Sequence, residues 1–193
     1  MSLGLKKRII ELVNHDPEWT KNADKMIKKL WNIFGTNAID IQHIGSTSIY
    51  GIMAKPIIDI VVGIENFDVL NGLIQKLEKI NIFKSSGQPF SDIILFSIEE
   101  NGLRTYNIQV VIINELQWTN HIVFRDYLNT FPEKAREYEE IKIKSKENCN
   151  NDIWKYNNGK DEFIKKCSNE GYKYFKKCST VQLHIKDVMC NLS

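Results

Sequence analysis

The stretch Gln42 to Gly63, QHIGSTSIYGIMAKPIIDIVVG, constrains this chain more than any other. Its second half, Ile57 to Val62, is nearly all β-branched and apolar, as a strand requires, and Asp59 interrupts it. A carboxylate in such a run costs roughly several kcal/mol unless a strong donor set or a metal ion satisfies it. Asp59 is therefore the first candidate for function. Ahead of it, Ala38 to Ile44 alternates Ile39 and Ile41 with mixed neighbours, a second strand signal. The polar link between the two runs presents Gly45, Ser46, Thr47 and Ser48 together.

A chain of 193 residues, 42% hydrophobic, can bury one sizeable core. We read one mixed α/β domain over residues 1–175 with a helical C-terminal extension, and leave the tail at 176–193 unassigned. With 26 basic against 24 acidic residues, the net charge of +2 gives no field that argues for nucleic acid or a membrane surface. The N-terminus lacks the apolar core of a secretory signal, and no apolar run approaches the ~18 residues that span a bilayer. The expected location is the cytoplasm. Cys149, Cys167, Cys178 and Cys190 form no C-x-x-C pair and have no histidines at zinc-ligand spacing beside them. Free thiols in a reducing compartment are expected.

A short strand is expected at Ile9 to Val13. Asp16 then reads as an N-cap with Pro17 at the first helical position, and Ala23, Met26, Ile27, Leu30, Trp31 and Phe34 form one buried stripe closed by Gly35. After the two strands already described, Asn66 starts a second amphipathic helix with Val69, Leu70, Leu73, Ile74, Leu77 and Ile80 inward. A loop at Ser85, Ser86, Gly87 and Pro89 leads to a hairpin, Asp92 to Ile98 and Leu103 to Ile113, turned at Asn101-Gly102. Trp118 to Phe131 is helical, Pro132 breaks it, a charged helix follows to about Asn148, and a last helix covers Asp161 to Tyr174. This mixed order predicts an α+β fold rather than a doubly wound parallel sheet.

A Gly-Ser pair at a turn leaving a strand can offer backbone N–H groups and a hydroxyl to a phosphate. An aspartate on the adjoining strand can hold Mg²⁺ against the same phosphates, since that ion needs only one or two protein carboxylates. The same residues also suit an ordinary turn beside a capped, buried aspartate. Both readings stand on pattern alone.

The segment His43-Ile44-Gly45-Ser46-Thr47 through Lys55-Pro56-Ile57-Ile58-Asp59-Ile60 resembles the signature of the GrpB family, whose fold is similar to that of nucleotidyltransferases. Asp16-Pro17-Glu18-Trp19, then Phe124-Arg125-Asp126-Tyr127-Leu128 with Pro132 and Tyr138, then Tyr156 with Lys160, Phe163 and Ile164 agree with it in order. The match runs from about Ile9 to Lys166. The resemblance implies a nucleotidyltransferase-like mixed sheet flanked by helices, binding a nucleoside triphosphate with Mg²⁺ and transferring a nucleotidyl group to an acceptor hydroxyl. It places Gly45 and Ser46 at the phosphates and Asp59 at the metal; we add Thr47 to the phosphate turn and expect Lys55 with His43 to neutralise developing charge. It also implies a second carboxylate two residues on, where this chain has Val61, and a third on the later strand. There Thr105, Asn107 and Gln109 share a face, and the last two are neutral amides that weakly coordinate or bind a ligand without anionic charge. Either one Mg²⁺ suffices, or Glu65 or Glu99 reaches the site, or the domain binds a nucleotide or a protein without reacting.

His43-Ile44-Gly45-Ser46 is also similar to the HIGH box of class I aminoacyl-tRNA synthetases, but the second histidine is missing and no lysine motif accompanies it. No G-x-x-x-x-G-K-[ST] is present, which removes a P-loop. His43 suits a general base or phosphate donor, or a residue that orients the loop by bonding a backbone carbonyl. Lys55 suits a phosphate partner or a solvated loop charge. Arg125 and Asp126 are expected to bridge to neighbours, and Lys160 to be an exposed helical charge.

Overall fold

The computed structural model describes residues 3–6, 8–85 and 92–178. Helix α1 (Glu18–Phe34) follows from its stripe, with Trp19, Ala23, Met26, Leu30 and Phe34 buried. Asp16 Oδ1 accepts from the Glu18 backbone N–H at 3.0 Å, and Pro17 stands just before the helix rather than at its first position. Gly35, at φ +53°, ends it.

Strands β2 (Ala38–Ile44) and β3 (Ile58–Ile64) pair antiparallel, with Ile44 opposite Asp59 and His43 opposite Ile60. The expected hairpin is present as β5 (Ile94–Glu100) and β6 (Leu103–Ile112). Asn101 at φ +52° and Gly102 at +76° supply the left-handed pair that a tight turn between twisted strands needs. Strand β6 runs parallel to β3, placing Asn107 beside Asp59 and Gln109 beside Val61. With β1 (Leu5–Lys6) and β4 (Ile82–Lys84), the sheet order is β2-β3-β6-β5-β4, and β1 also pairs with β6. One parallel pair among antiparallel ones makes the mixed sheet and α+β class expected.

Ile9 to Val13 forms no strand. Ile10 and Leu12 join Cys149 and Tyr156, whereas Val13 joins the α1 core and makes only an isolated bridge to Ala54, so the segment links two cores without a ladder. The helix expected from Asn66 is a 3₁₀ turn, Phe67–Gly72, followed by the short α2 (Ile74–Glu78). Gly72 is a poor helix former in mid-segment, and Ile80, expected inward, is exposed. Strand β4 was too short for periodicity to reveal. Helix α3 (Leu116–Thr130) and α4 (Pro132–Asn148) meet at Pro132 as expected. The last helix, α5 (Ile153–Lys177), starts eight residues before Asp161, because Asp152 Oδ1 caps the N–H groups of Trp154 and Lys155 at 2.8 and 3.2 Å. The loop at 86–91, and the tail with Cys190 from 179 onward, lie outside the described residues.

Strand alternation divides the sheet into two faces. Ile58, Ile60, Val62 and Ile64 join Ile108, Val110 and α1 on one. Val61, Val111 and Ile44 meet Trp118 and Ile122 of α3 on the other, and α3 packs in turn on α4 and α5. Asp59 shares the second face, so helices α3 to α5 stand over it.

Helices α3 and α5 approach closely at Gly171, where an added Cβ would lie 2.6 Å from Val123 Cγ1 and 3.1 Å from Tyr127 Cβ. Glycine to alanine inside a helix ordinarily stabilises by about 1 kcal/mol. Here Gly171→Ala is expected to destabilise by about 1–3 kcal/mol through overpacking. Urea unfolding of the single variant and of Gly171→Ala with Val123→Ala measures this, the second change restoring part of the loss.

Candidate functional site

Asp59 is the second residue of β3, at the end of the strand nearest the Gly45 turn. Asn107 Nδ2 donates to its Oδ1 at 2.8 Å. Its Oδ2 lies against the Gly45 backbone, where an added Cβ would sit 2.5 Å away. Gly45 also adopts φ +71°, so both its conformation and its contact with Asp59 call for glycine. Burial raises the Asp59 carboxyl above its ordinary range, while the Asn107 hydrogen bond and the charges of Lys55 and Lys160 pull it back down.

The turn is braced from both sides. Ser48 donates from its backbone N–H and its Oγ to Gly45 O, at 3.1 and 2.6 Å. Ser46 Oγ donates to the Tyr138 hydroxyl at 3.3 Å, which ties the turn to α4. Thr47 is only 1% exposed, and its hydroxyl lies 2.9 Å from His43 Nε2. His43 therefore steadies the loop through a threonine hydroxyl, not through a backbone carbonyl. By register its ring belongs with Ile60, on the face opposite Asp59. Burial, then the Arg125 charge, lowers its pKa to about 4, so the imidazole is neutral at pH 7 and supplies no positive charge. Arg125 donates to Gln42 Oε1 at 3.0 Å, His43 O at 2.9 Å and Asp126 Oδ1 at 2.8 Å, the bridging role expected of it.

Three lysines surround two buried tyrosines beside Asp59. Lys55 Nζ lies 5.2 Å and Lys160 Nζ 4.1 Å from the Tyr156 ring centre, and Lys142 Nζ lies 4.8 Å from that of Tyr138. Lys55 and Lys160 are half-buried, so Lys55 is no freely solvated loop charge and Lys160 is not the exposed helical charge expected. Its i+4 relation to Tyr156 turns it toward the buried face of α5. Lys142 is 1% exposed and donates to Met53 O. Burial lowers the pKa of Lys142 to about 7, with Lys160 lowering it further and Glu139 opposing. Burial followed by the Lys55 charge does the same to Lys160, again to about 7. Lys55 is lowered too, first by burial. Tyr138 is pushed up to about 12 by burial.

Among the described residues, none of the carboxylates expected from the sequence stands beside Asp59. Val61 is fully buried under α3, and Gln109 lies beside it with no charge to offer. Glu65 is exposed past the far end of β3, and Glu99 is held by Arg104 at 3.1 Å. Among the described residues no three His, Cys, Asp or Glu side chains converge. The donor set fits one Mg²⁺ at most. Asp59 would be its carboxylate, and Asn107 Oδ1, buried without a hydrogen-bond partner, offers a neutral oxygen beside it. It does not fit two.

Sequence reasoning named Tyr138, Tyr156 and Lys160 only as matching positions and missed Lys142. The signal was present in helical spacing: Ala135, Tyr138, Lys142 and Ser145 form the buried stripe of α4, so a lysine stands where an apolar residue belongs.

A mixed sheet with a Gly-Ser turn, an aspartate on the next strand and flanking helices is a nucleotidyltransferase-like fold. The fold is shared with the Cid1 poly(U) polymerase solved with MgATP, at TM-score 0.50 and 14% identity over 69% of this chain and 45% of that one. The family model for GrpB protein matches residues 9–170. The glutamate-rich protein GrpB of Alkalihalophilus pseudofirmus is 37% identical over 87% of this chain and 99% of its own length. The crystal structure of GrpB from Enterococcus faecalis aligns at TM-score 0.77 and 28% identity, covering 86% and 99% of the two chains. The chain belongs to the GrpB family. No helix among the described residues is long and apolar enough to cross a membrane.

The lysines give the fold a pH signature. Lys142 and Lys160 have folded pKa values of about 7 against 10.5 ordinarily, so between these limits the unfolded chain binds more protons. Their contribution to stability is therefore expected to rise from about pH 7 toward pH 10. Denaturant midpoints across this range test it, and Lys142→Met or Lys160→Met should flatten the rise.

Proposed function

We propose that this chain binds a nucleoside triphosphate, with one Mg²⁺ at Asp59, at the end of the sheet where the Gly45 turn meets helices α4 and α5. The observation that carries this reading is the meeting of Asp59, the Ser46 hydroxyl and the Lys55 and Lys160 ammonium groups at one end of the sheet. Ser46 and the turn backbone suit phosphate oxygens, and Gly45 lets them approach closely. Thr47 and His43 hold the turn from behind. Asn107 orients Asp59 through its 2.8 Å hydrogen bond, and Gln109 lines the same face one step further along.

Bound there, the ion would polarise phosphate oxygens. In transfer, an acceptor hydroxyl forms a bond to the α-phosphorus, the bridging bond to the β-phosphate breaks, pyrophosphate leaves, and the hydroxyl proton passes to solvent. Lys55 and Lys160 suit the charge that gathers on the departing phosphates. A second reading, binding without turnover, is favoured by the neutral Asn107 and Gln109 where a two-metal site needs anionic ligands. The acceptor is an unidentified hydroxyl compound, and the net charge of +2 gives no support to nucleic acid.

Calorimetric titration with ATP and GTP, with and without MgCl₂, tests both readings. Binding strengthened roughly tenfold or more by Mg²⁺ is expected. Asp59→Asn should remove that enhancement while leaving the circular dichroism spectrum unchanged, and Ser46→Ala should weaken binding roughly 3–10-fold. Pyrophosphate release supports transfer, and binding without release supports the second reading. Failure of both nucleotides to bind overturns the proposal.

A further inference from the structure

The charges around Asp59 do not touch one another. Among the described residues its carboxylate accepts one hydrogen bond, from the neutral Asn107, and neither Lys55 nor Lys160 forms an ion pair. Yet Lys55 and Lys160 lie close enough to each other and to Asp59 for their charges to interact. Both ammonium groups lie by one aromatic ring, at 5.2 and 4.1 Å from the centre of Tyr156. Lys142 is different, because its ammonium is committed to Met53 O under the Tyr138 ring. Other charges at the rim are Asp161, exposed next to Lys160, and Arg104, which is bound to Glu99. Two ammonium groups thus converge, without anionic partners in contact, where a two-metal donor set is lacking.

Resting on the reading proposed above, we infer that Lys55 and Lys160 take the place of the second metal. The terminal phosphates of a polyphosphate are received directly on these ammonium groups, with at most one divalent ion. An ammonium needs no carboxylate ligands of its own, which accounts for Val61 and for the amides of Asn107 and Gln109 at the positions where such ligands would stand. It also follows that the site holds a polyphosphate carrying no metal at all. Ser46 and Lys55 approach from the sheet side, and Lys160 approaches from α5, so the phosphate chain bridges the two layers.

The test uses the full chain with sodium tripolyphosphate and with ATP, each in EDTA and in MgCl₂. Tripolyphosphate is expected to keep measurable binding in EDTA, weaker than with Mg²⁺, and Lys160→Gln and Lys55→Gln should each weaken that metal-free binding roughly tenfold. Electron paramagnetic resonance of Mn²⁺ with the wild-type chain and ATP counts the ions directly and needs no variant to fold. One bound ion or none is expected. Two bound ions, or tripolyphosphate binding that vanishes in EDTA, overturn the inference while leaving nucleotide binding intact. Metal-free binding of tripolyphosphate without any binding of ATP or GTP sustains the inference and removes the nucleotide reading.

Discussion

The close approach of Asp59 to Gly45 sets the geometry on which the rest of the site depends. With Ile44 opposite Asp59 in the β2–β3 ladder, the chain must leave β2 directly beneath the carboxylate. A side chain at position 45 would occupy the space of Oδ2, and φ +71° there turns the backbone away from the strand. The turn and the aspartate therefore form one unit, and a shift of either moves the other. Asn107 completes it from the neighbouring parallel strand. A buried carboxylate with one neutral hydrogen bond keeps residual demand for positive charge, which is why the surroundings of Asp59 matter more than the residue itself.

That demand is answered from the helices. Lys160 comes from α5 and Lys55 from the link between β2 and β3, with Lys142 of α4 beside them in a stripe shared with Ala135, Tyr138 and Ser145. The C-terminal helices are thus a wall of the site rather than an extension of the domain. Their packing on α3 through Val123, Tyr127, Tyr138 and Phe163 fixes where the ammonium groups stand, so the hydrophobic cluster and the electrostatics of the site are coupled. The tyrosine rings contribute twice, filling volume in the core and offering negative faces to cations that have few other partners.

What could be read from the residues alone divides along physical lines. The Asp59 strand, the Asn101-Gly102 hairpin and the α1 stripe were legible because each is decided by neighbours in sequence: β-branched runs, a turn dipeptide, a helical period. The 3₁₀ turn at Phe67–Gly72 and the strand at Ile82–Lys84 were not, because pairing with β5 and a glycine in mid-segment decide them. In the site, Gly45, Ser46 and Asp59 lie on one short stretch and were found together. The face of His43 was not found, since a strand side chain two residues before the glycine can point to either side until the strand register is known. Lys55 was found with the turn, but Lys142 was missed and Lys160 was read as exposed for the opposite reason: they sit on helices more than 80 residues further along the sequence from the turn they meet.

The neutral amides on β6 follow from the same balance. In a site that gathers several cations, carboxylates on adjacent strands are tolerable because each anion has a metal to face. Here Lys160 of α5 and Lys55 of the β2–β3 link already bring tethered amines, which cannot leave as ions do. A carboxylate at Asn107, 2.8 Å from Asp59 Oδ1, would set two anions against each other with no metal ligand at Val61 to share them. An amide instead donates to Asp59 and keeps an oxygen in reserve. Asn107 and Val61 are therefore the counterpart of Lys55 and Lys160: the sheet gives up anionic charge where α5 and the β2–β3 link provide cationic charge.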